Sequence, residues 1–254
     1  MSLSATAVPL QEILPWREQF RREAPGQIVH DSLHGRPGWT LSYLLAAGET
    51  AAGYGTVAVG GPWSGTRTVF EFHLATEQRW QAAALFDIFL RTSAASHFEF
   101  QTSHNLLAEL APPRAGNLNV ERIVFREGPA TALPAPAGAV FHRAAPGDSV
   151  RTFAHHVEPV GNWVIEMDGV IAATGGMLSH YNPPHRDLFM EVAESYRRRG
   201  LGSWLLQELK RACRADGGIP CARCTPDKLA SRRCLTKAGF VPWTEIVTGP
   251  VAPA

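Results

Sequence analysis

Residues 187–214 constrain the fold of this chain more than any other stretch. An apolar run at Leu188–Val192 has the length and composition of a buried strand. A turn with three arginines and two glycines follows at Arg197–Gly202. Apolar residues then recur at helical spacing, namely Leu201, Trp204, Leu205, Leu209 and Ala212. The stretch therefore predicts a strand, a glycine turn and an amphipathic helix in immediate succession.

This succession favours anion binding at the turn. The first N–H groups of a helix have no partner within the helix, and the helix dipole adds partial positive charge there. Gly200 and Gly202 carry no Cβ, so a ligand can approach the backbone closely. The spacing fits neither G-x-x-x-x-G-K-[ST] nor G-x-G-x-x-G, because Leu205 occupies the third glycine position. Taken alone, the G-x-G pattern is equally compatible with an ordinary strand–helix turn.

The turn resembles the cofactor motif of the GNAT acyltransferases, R/Q-x-x-G-x-G/A. In that motif a strand valine lies eight residues before the first glycine, and here Val192 precedes Gly200 by eight. The run Arg197–Gly202 matches the motif at each of its defined positions. The resemblance to this family covers roughly residues 139–248.

A second segment, Lys228–Phe240, resembles the GNAT pattern N-x-x-S-x-x-x-x-x-K-x-G-F. The matching residues are Ser231, Lys237, Gly239 and Phe240. The segment departs from the pattern at Lys228, where asparagine is usual, and at Leu235, where many members carry a tyrosine. Two motifs in the right order are more specific than either motif alone.

The resemblance implies an α/β fold with a mixed, mostly antiparallel sheet flanked by helices. It also implies an acetyl-CoA-dependent N-acetyltransferase that moves an acetyl group directly to a primary amine in a ternary complex. The backbone N–H of Val192 is then expected to polarise the thioester carbonyl. The residues that the resemblance assigns to acetyl-CoA are Val192, Ala193, Arg197, Arg198, Arg199, Gly200, Leu201, Gly202, Ser203 and Ser231.

The proton acceptor is predicted to be Glu191, because it immediately precedes Val192. Partial desolvation beside the cofactor channel is expected to raise its pKa toward the working range of a base. An ordinary strand carboxylate that pairs with an arginine is the competing interpretation. His180 and His185, which bracket a loop containing Tyr181, are the alternatives, whereas Glu194 is expected to be a solvated charge.

The acid for the leaving thiolate is left open by the sequence. Leu235 cannot donate a proton. The remaining candidates are Ser231, Tyr196, Cys234 and water, or else the thiolate leaves unassisted. The missing tyrosine motivates an alternative function, a non-catalytic acyl-CoA-binding or regulatory module.

Charge and hydropathy patterning argue against several partners. The chain of 254 residues has 24 Lys plus Arg against 23 Asp plus Glu, a net charge of +1, so we expect no nucleic-acid partner. No apolar run approaches the ~18 residues that span a bilayer. Because Met1–Val8 lacks the features of a signal peptide, we expect a cytoplasmic protein without a membrane partner. A homodimer is one arrangement left open.

Four cysteines lie in the last quarter of the chain, at positions 213, 221, 224 and 234. Cys221 and Cys224 form a C-x-x-C pair, so a zinc-binding interaction domain has to be considered. On a strand, however, an offset of three residues directs two side chains to opposite faces. We therefore predict buried thiols and no metal site.

The chain is predicted to divide at an irregular Ala/Pro-rich run. The predicted parts are residues 1–130, a linker at 131–138, and a catalytic domain at 139–254. The C-terminal part predicts strands at 139–143, 162–168, 170–180, 187–193, 219–225 and 241–248, with helices at 200–214 and 227–238. The N-terminal part predicts strands at 39–46, 51–59, 68–74, 97–102 and 120–126, with helices at 80–93 and 105–110.

The N-terminal half repeats the element order of the C-terminal half. When Leu74 is placed on Val192, Ala82 and Ala84 fall on the two glycines of the turn. We therefore predict two GNAT-like units in tandem, of which the first is degenerate and binds no cofactor. We expect the acceptor to be a small-molecule or peptide amine.

Overall fold

The structure is a computed structural model that describes residues 2–24, 26, 30–148, 152–180 and 182–253. The chain forms two compact units. The first comprises Met1–Arg122 together with Thr244–Ala254, and the second comprises Ile123–Trp243. The C-terminal residues of the chain thus belong to the first compact unit. The predicted division of the chain at 131–138 stays a prediction.

The first unit is built on a mostly antiparallel sheet. Its elements in chain order are β1 (Leu3–Val8), α1 (Leu10–Glu23), α2 (His30–His34), β2 (Thr40–Ala47), β3 (Thr50–Ala58), β4 (Thr68–Leu74), α3 (Ala82–Ser93), β5 (His97–Gln101) and α4 (Asn105–Leu110). The sheet order is β1-β2-β3-β4-β5, and residues 246–250 of the last strand of the chain pair with β5. Large aromatic side chains, including Phe72, Phe86 and Phe89, fill its core.

The second unit has the same kind of sheet. It takes in the end of β6 (Asn119–Glu127), then β7 (Val140–Arg143), β8 (Trp163–Met167), β9 (Val170–Leu178), β10 (His185–Val192), α5 (Leu201–Ala215), β11 (Ile219–Cys224), α6 (Leu229–Lys237) and the start of β12 (Phe240–Pro250). The sheet order is β6-β11-β10-β9-β8-β7. The predicted mixed, mostly antiparallel sheet flanked by helices is confirmed.

Local residue chemistry explains the turns that connect these elements. Asp168 and Gly169 both have positive φ angles, 52° and 75°, as the tight hairpin between β8 and β9 requires. Gly217, the second residue after α5, has φ 74°, and a left-handed residue at this position ends the helix. Apolar residues of α5, such as Leu205 and Leu209, pack with Leu188 of β10 in the core of this unit.

The predicted linker has no regular secondary structure, but it is bonded to the second unit. The Gln207 side chain on α5 accepts a hydrogen bond from Leu133 N–H at 2.7 Å and donates one to the Leu133 carbonyl at 3.2 Å. The Thr131 hydroxyl donates to the Ala238 carbonyl at 3.3 Å. The segment is therefore anchored along α5 rather than free.

Matching hydrogen bonds support the predicted internal repeat. Arg79 Nε donates to the Leu74 carbonyl at 3.3 Å, and Arg197 Nε donates to the Val192 carbonyl at the same distance. The residue after each strand also behaves alike, since Ala75 N–H donates to Ala52 and Ala193 N–H donates to Ala172, both at 2.9 Å. These pairs place Leu74 and Val192 at equivalent positions of the two units.

Among the described residues, no helix combines the length and the apolar character needed to cross a membrane.

Candidate functional site

The second unit has an opening between two neighbouring strands, β10 and β11. The parallel pairing of these strands runs from His185↔Ile219 to Asp187↔Cys221. Beyond Asp187, the described register pairs β10 only with β9, through Val192↔Ala173. Residues 188–192 therefore present one edge of their backbone to the opening.

The direction of the N–H groups on β10 follows from its pairing with β9. Ala193 N–H donates to the Ala172 carbonyl at 2.9 Å, so residues 193 and 172 form a hydrogen-bonded pair. Hydrogen-bonded and non-hydrogen-bonded pairs alternate in an antiparallel ladder. The N–H of Val192 consequently points away from β9 toward the opening, and so does that of Met190. The sequence had singled out only Val192.

The arginine–glycine turn follows directly after this edge. Arg198 and Gly200 have positive φ angles, 64° and 84°, and Gly200 is the N-cap residue of α5. The first hydrogen bond of the helix runs from Trp204 N–H to the Gly200 carbonyl at 3.1 Å. The N–H groups of Leu201, Gly202 and Ser203 therefore lack acceptors within the helix, which makes this end a donor site for an anion.

The three arginines of the turn differ in the groups that they make available to an anion. Arg197 N–H already donates to the Glu194 carbonyl at 3.2 Å, so this amide is engaged, although the resemblance assigns Arg197 to acetyl-CoA. The guanidinium of Arg199 lies 4.9 Å from the ring centre of Tyr196. The side chains of Arg197, Arg198 and Arg199 are exposed beside the helix N-terminus, where they add positive charge.

Close packing explains the glycine at position 202. A Cβ placed there would lie 3.1 Å from Met190 Cε and 3.3 Å from Cys234 Sγ. The start of α5 therefore packs tightly against β10 and α6. Ser231 is half-buried and lies three residues before Cys234, on the same side of α6.

Leu235, at the position where many GNAT members carry a tyrosine, is buried in the core of the second unit. Cys234, rather than Leu235, is thus the α6 side chain that reaches the glycine turn.

The glycine turn, β10 and α6 all lie within a segment that matches a known protein family. Residues 131–240 match the acetyltransferase (GNAT) family. The predicted resemblance is thereby confirmed for this part of the chain. No curated protein sequence matches the chain.

Three solved structures are similar along nearly the whole chain. A GNAT-family acetyltransferase from Colwellia psychrerythraea has 14% identity and a TM-score of 0.75, covering 98% of this chain and 100% of its own. A GCN5-related N-acetyltransferase from Sphaerobacter thermophilus has 13% identity and a TM-score of 0.60, covering 99% and 96%. A tandem GNAT protein from the clavulanic acid biosynthesis pathway has 12% identity and a TM-score of 0.58, covering 100% of both chains.

At these identities the similarity concerns the fold, and it confirms the predicted tandem GNAT architecture.

The environment of Glu191 is different from the one expected. The side chain is buried, and its two oxygens accept hydrogen bonds from three successive N–H groups, those of His156 at 3.0 Å, Val157 at 3.1 Å and Glu158 at 3.0 Å. Burial by itself raises the pKa of Glu191, but the three N–H donors, with a further contribution from His155, outweigh burial and hold the pKa below its ordinary value. The predicted rise in pKa is therefore wrong, because the carboxylate is solvated by backbone amides instead of being left in an apolar channel.

His180 lies at the inner end of the opening. Its Nε2 atom is 3.1 Å from Oδ2 of Asp187, the last β10 residue paired with β11, and 3.2 Å from Nη2 of Arg223. Arg223 Nε also lies 3.2 Å from the buried carboxylate of Asp187. His180 is therefore part of a charged cluster on the face of the sheet opposite α5, the same face as Glu191.

The other titratable residues near β10 are placed less favourably for proton transfer. His185 lies seven residues before Val192, about 23 Å along the strand. Burial lowers the pKa of His185, despite its hydrogen bond with Asn182. Glu194 is exposed in the turn after β10, and Tyr196 is half-buried there. Tyr181 lies outside the described residues.

The loop at residues 152–162, which covers the face of the sheet opposite α5, was missed by the sequence reasoning. It is held to the sheet by Glu191 and by Thr174, whose hydroxyl lies 2.6 Å from His155 Nε2 and accepts from Gly161 N–H at 3.3 Å. Its residues follow neither helical nor strand periodicity, so the sequence carried no signal for it. A cavity of about 270 Å³ adjoins this loop, with Asp148, Thr152, Val160, Asn162, Val164 and Thr174 among its lining residues.

The first unit lacks the glycine turn. Residues 76–81 form a short 3-10 helix that leads directly into α3, and Ala82, at the position equivalent to Gly200, has φ −54°. The left-handed residue that shapes the donor site of the second unit is thus replaced by a helical one. This difference supports the predicted degenerate site.

The cysteines are free thiols in the second unit. Cys213, Cys221 and Cys224 are buried, and Cys234 is half-buried. Burial raises the pKa of Cys213 to about 11 and that of Cys221 to about 12, so both remain protonated near neutral pH. In the described part of the chain, no three His, Cys, Asp or Glu residues are grouped as metal ligands. The predicted lack of a metal stays a prediction.

Proposed function

We propose that this protein is an acetyl-CoA-dependent N-acetyltransferase that moves an acetyl group to a primary amine by direct transfer. The observation that carries the proposal is the placement of two donor groups side by side. The N–H groups of β10 point into the opening, and the unpaired N–H groups at the start of α5 follow it directly. The GNAT match of residues 131–240 supports acyl transfer as the general chemistry.

The donor groups suit two parts of acetyl-CoA, the diphosphate and the pantetheine arm with its thioester. The diphosphate would bind the N–H groups of Leu201, Gly202 and Ser203, with the exposed arginine side chains nearby. The pantetheine arm would lie along the open edge at residues 188–192. Its thioester oxygen can accept a hydrogen bond from Val192 N–H, as predicted, or from Met190 N–H two residues earlier on β10. Either donor would stabilise the negative charge that develops on this oxygen.

The acceptor would approach from the face of the sheet that carries Glu191 and His180. This face has an acidic and histidine-containing lining and adjoins the cavity beneath the loop at residues 152–162. We infer a small-molecule or peptide amine as the acceptor and a cytoplasmic location. We expect no nucleic-acid or membrane partner, because the net charge is +1. The formation of a homodimer stays an expectation.

Acetyl-CoA binding to a Gly200→Val, Gly202→Val double variant tests the assignment. Cβ atoms at these positions should obstruct the close approach of the diphosphate to the backbone. We expect calorimetry to show tight binding to the wild-type protein and none to the folded double variant. Unchanged affinity would refute the site.

Turnover with a panel of primary amines separates the proposed enzyme from a non-catalytic acyl-CoA-binding module. The observation that favours this second candidate is the burial of Leu235 at the usual tyrosine position. Release of CoA that depends on an added amine supports the enzyme. Tight binding without any amine-dependent release supports the module.

A further inference from the structure

Glu191 has the environment of an anchor. Its carboxylate receives three consecutive backbone N–H groups from residues 156–158, which lie 33 to 35 positions earlier in the chain. Each of these bonds is charge-assisted, and together they occupy three of the roughly four lone-pair sites of the carboxylate, which leaves it little capacity to act as a general base. The consequence is positional, because the bonds fix the backbone of Glu158 beside the C-terminal end of β10.

Glu158 lies where charged groups from three elements meet. Its backbone N–H lies 3.0 Å from Glu191 Oε2, and the charges of Asp187 and Glu191 of β10, Arg223 of β11 and Lys228 just before α6 act on the pKa of its half-buried carboxyl. Asp187 and Glu191 stand on the face of β10 opposite α5, at either end of the segment that lines the opening. Glu158 is therefore held next to the face from which an acceptor would reach a thioester in the opening.

We propose that the Glu158 carboxylate accepts the proton of the acceptor amine, and that Glu191 is a positioning residue that holds Glu158 in place. This inference rests on the proposed function. The amine nitrogen forms a bond to the acetyl carbon while the bond from that carbon to sulfur breaks. The amine proton passes to Glu158, the departing thiolate takes a proton from water, and the hydroxide that remains is neutralised by the proton on Glu158.

The electrostatics of Glu158 suit this role. Burial and then the negative charge of Asp187 raise its pKa, with a further contribution from Glu191, and together they outweigh the opposing effect of Lys228 and Arg223. A carboxylate with a raised pKa is a stronger base than an ordinary glutamate. The pKa of Glu191 moves in the opposite direction, so the two neighbouring carboxylates have different chemistry.

The test compares Glu158→Gln, Glu191→Gln and a control, Glu194→Gln, whose side chain is exposed in the turn after β10. The acceptors are tyramine, spermidine, lysine and a tetrapeptide with a free N-terminus. For Glu158→Gln we expect kcat to fall about a hundredfold or more, with loss of the acidic limb of the pH profile and unchanged acetyl-CoA affinity. Glu191→Gln should mainly raise KM for the amine and keep that limb, and Glu194→Gln should behave as wild type.

A Glu158→Gln variant that keeps kcat within about threefold would overturn the inference while leaving the proposed acetyl transfer intact. If the wild-type protein did not bind acetyl-CoA, the proposed function itself would instead be refuted. NMR titration of the carboxyl groups gives a result that needs no acceptor. We expect Glu158 to titrate above the ordinary value of 4.5 and Glu191 below it, and a Glu158 that titrates at or below 4.5 would contradict the inference.

Discussion

Lys210 shows how a single buried charge can hold several chain segments together. Its ammonium group donates to the carbonyls of Ala238 at 3.0 Å, Pro129 at 3.4 Å and Gly239 at 3.5 Å, and it lies 5.2 Å from the ring centre of Phe240. Burial lowers the pKa of Lys210, as expected for a cation removed from water. The side chain satisfies carbonyls at the C-terminal end of α6, where a positive charge is favourable.

Lys210→Met should therefore lower the free energy of unfolding by about 1–3 kcal/mol, because it leaves buried carbonyls without their donor. Urea-induced unfolding measures the effect. Lys237→Met is the matched control, since Lys237 is exposed on α6 and its loss should change stability by less than about 0.5 kcal/mol. Equal losses in the two variants would show that the Lys210 contacts contribute little.

A second prediction concerns the pH dependence of stability, which follows from the lowered pKa of Glu191. The three N–H donors favour the charged form, so the folded pKa lies below the unfolded value of about 4.5. The stabilisation is fully present above about pH 4.5 and is lost as pH falls through the folded pKa. The difference in unfolding free energy between wild type and Glu191→Gln should thus be largest near neutral pH and shrink below about pH 4.5.

Denaturant unfolding at a series of pH values measures this difference. Glu194→Gln again serves as the control and should differ little from wild type throughout. A Glu191→Gln difference that does not depend on pH would mean that the charge of Glu191 does not stabilise the loop.

At the scale of elements, α5 offers a comparison between its two ends. Gly200 precedes the helix with φ 84° and Gly217 follows it with φ 74°, and a Cβ at either position would have nothing within 4 Å. Replacing either glycine by alanine should cost about 1 kcal/mol of stability, because a Cβ disfavours the left-handed region. Only Gly200→Ala should also weaken acetyl-CoA binding, by about tenfold, equivalent to about 1.4 kcal/mol.

Calorimetry and urea unfolding of the two variants separate ligand binding from backbone strain. Gly217→Ala is expected to bind acetyl-CoA as tightly as wild type. If both variants lost affinity to the same extent, the effect would be on the helix as a whole, and the anion site at its N-terminus would lose its support.

At the scale of the whole molecule, the two units repeat one plan but differ at the glycine turn. Position 200 carries a left-handed glycine, whereas its equivalent, Ala82, has helical φ. We therefore expect one acetyl-CoA per chain in a calorimetric titration, and none in the Gly200→Val, Gly202→Val variant. A stoichiometry of two would show that the first unit has kept a site.

The sequence determined those elements whose signals are local. Strand β4 and helix α4 begin and end at the predicted residues, and α5 is shifted by one residue from its predicted bounds. These segments have clear periodicity and recognisable turn residues. The helix α1 was not predicted, because Pro15 lies within it and its buried residues include Arg17 next to Ile13 and Phe20.

The tertiary structure explains why a charge can stand on that buried face. Arg17 lies 3.1 Å from the buried carboxylate of Glu71, which is 54 residues away in β4. Arg17 Nη2 also lies 2.9 Å from Asp31. An apolar pattern read along the sequence cannot include such a pair, since the partner that makes burial tolerable is not local.

The same distinction applies to the candidate site. The glycine turn and the strand before it were predicted from sequence, because a left-handed glycine and a helix N-terminus are local features of the backbone. The chemistry of the carboxylates was decided by tertiary structure. Glu191 and Glu158 are 33 residues apart, and only folding brings the amides of one loop onto Glu191 and the charges of β10 onto Glu158. A pKa depends on solvation and on neighbouring charge, and both are set by residues that are distant in the chain.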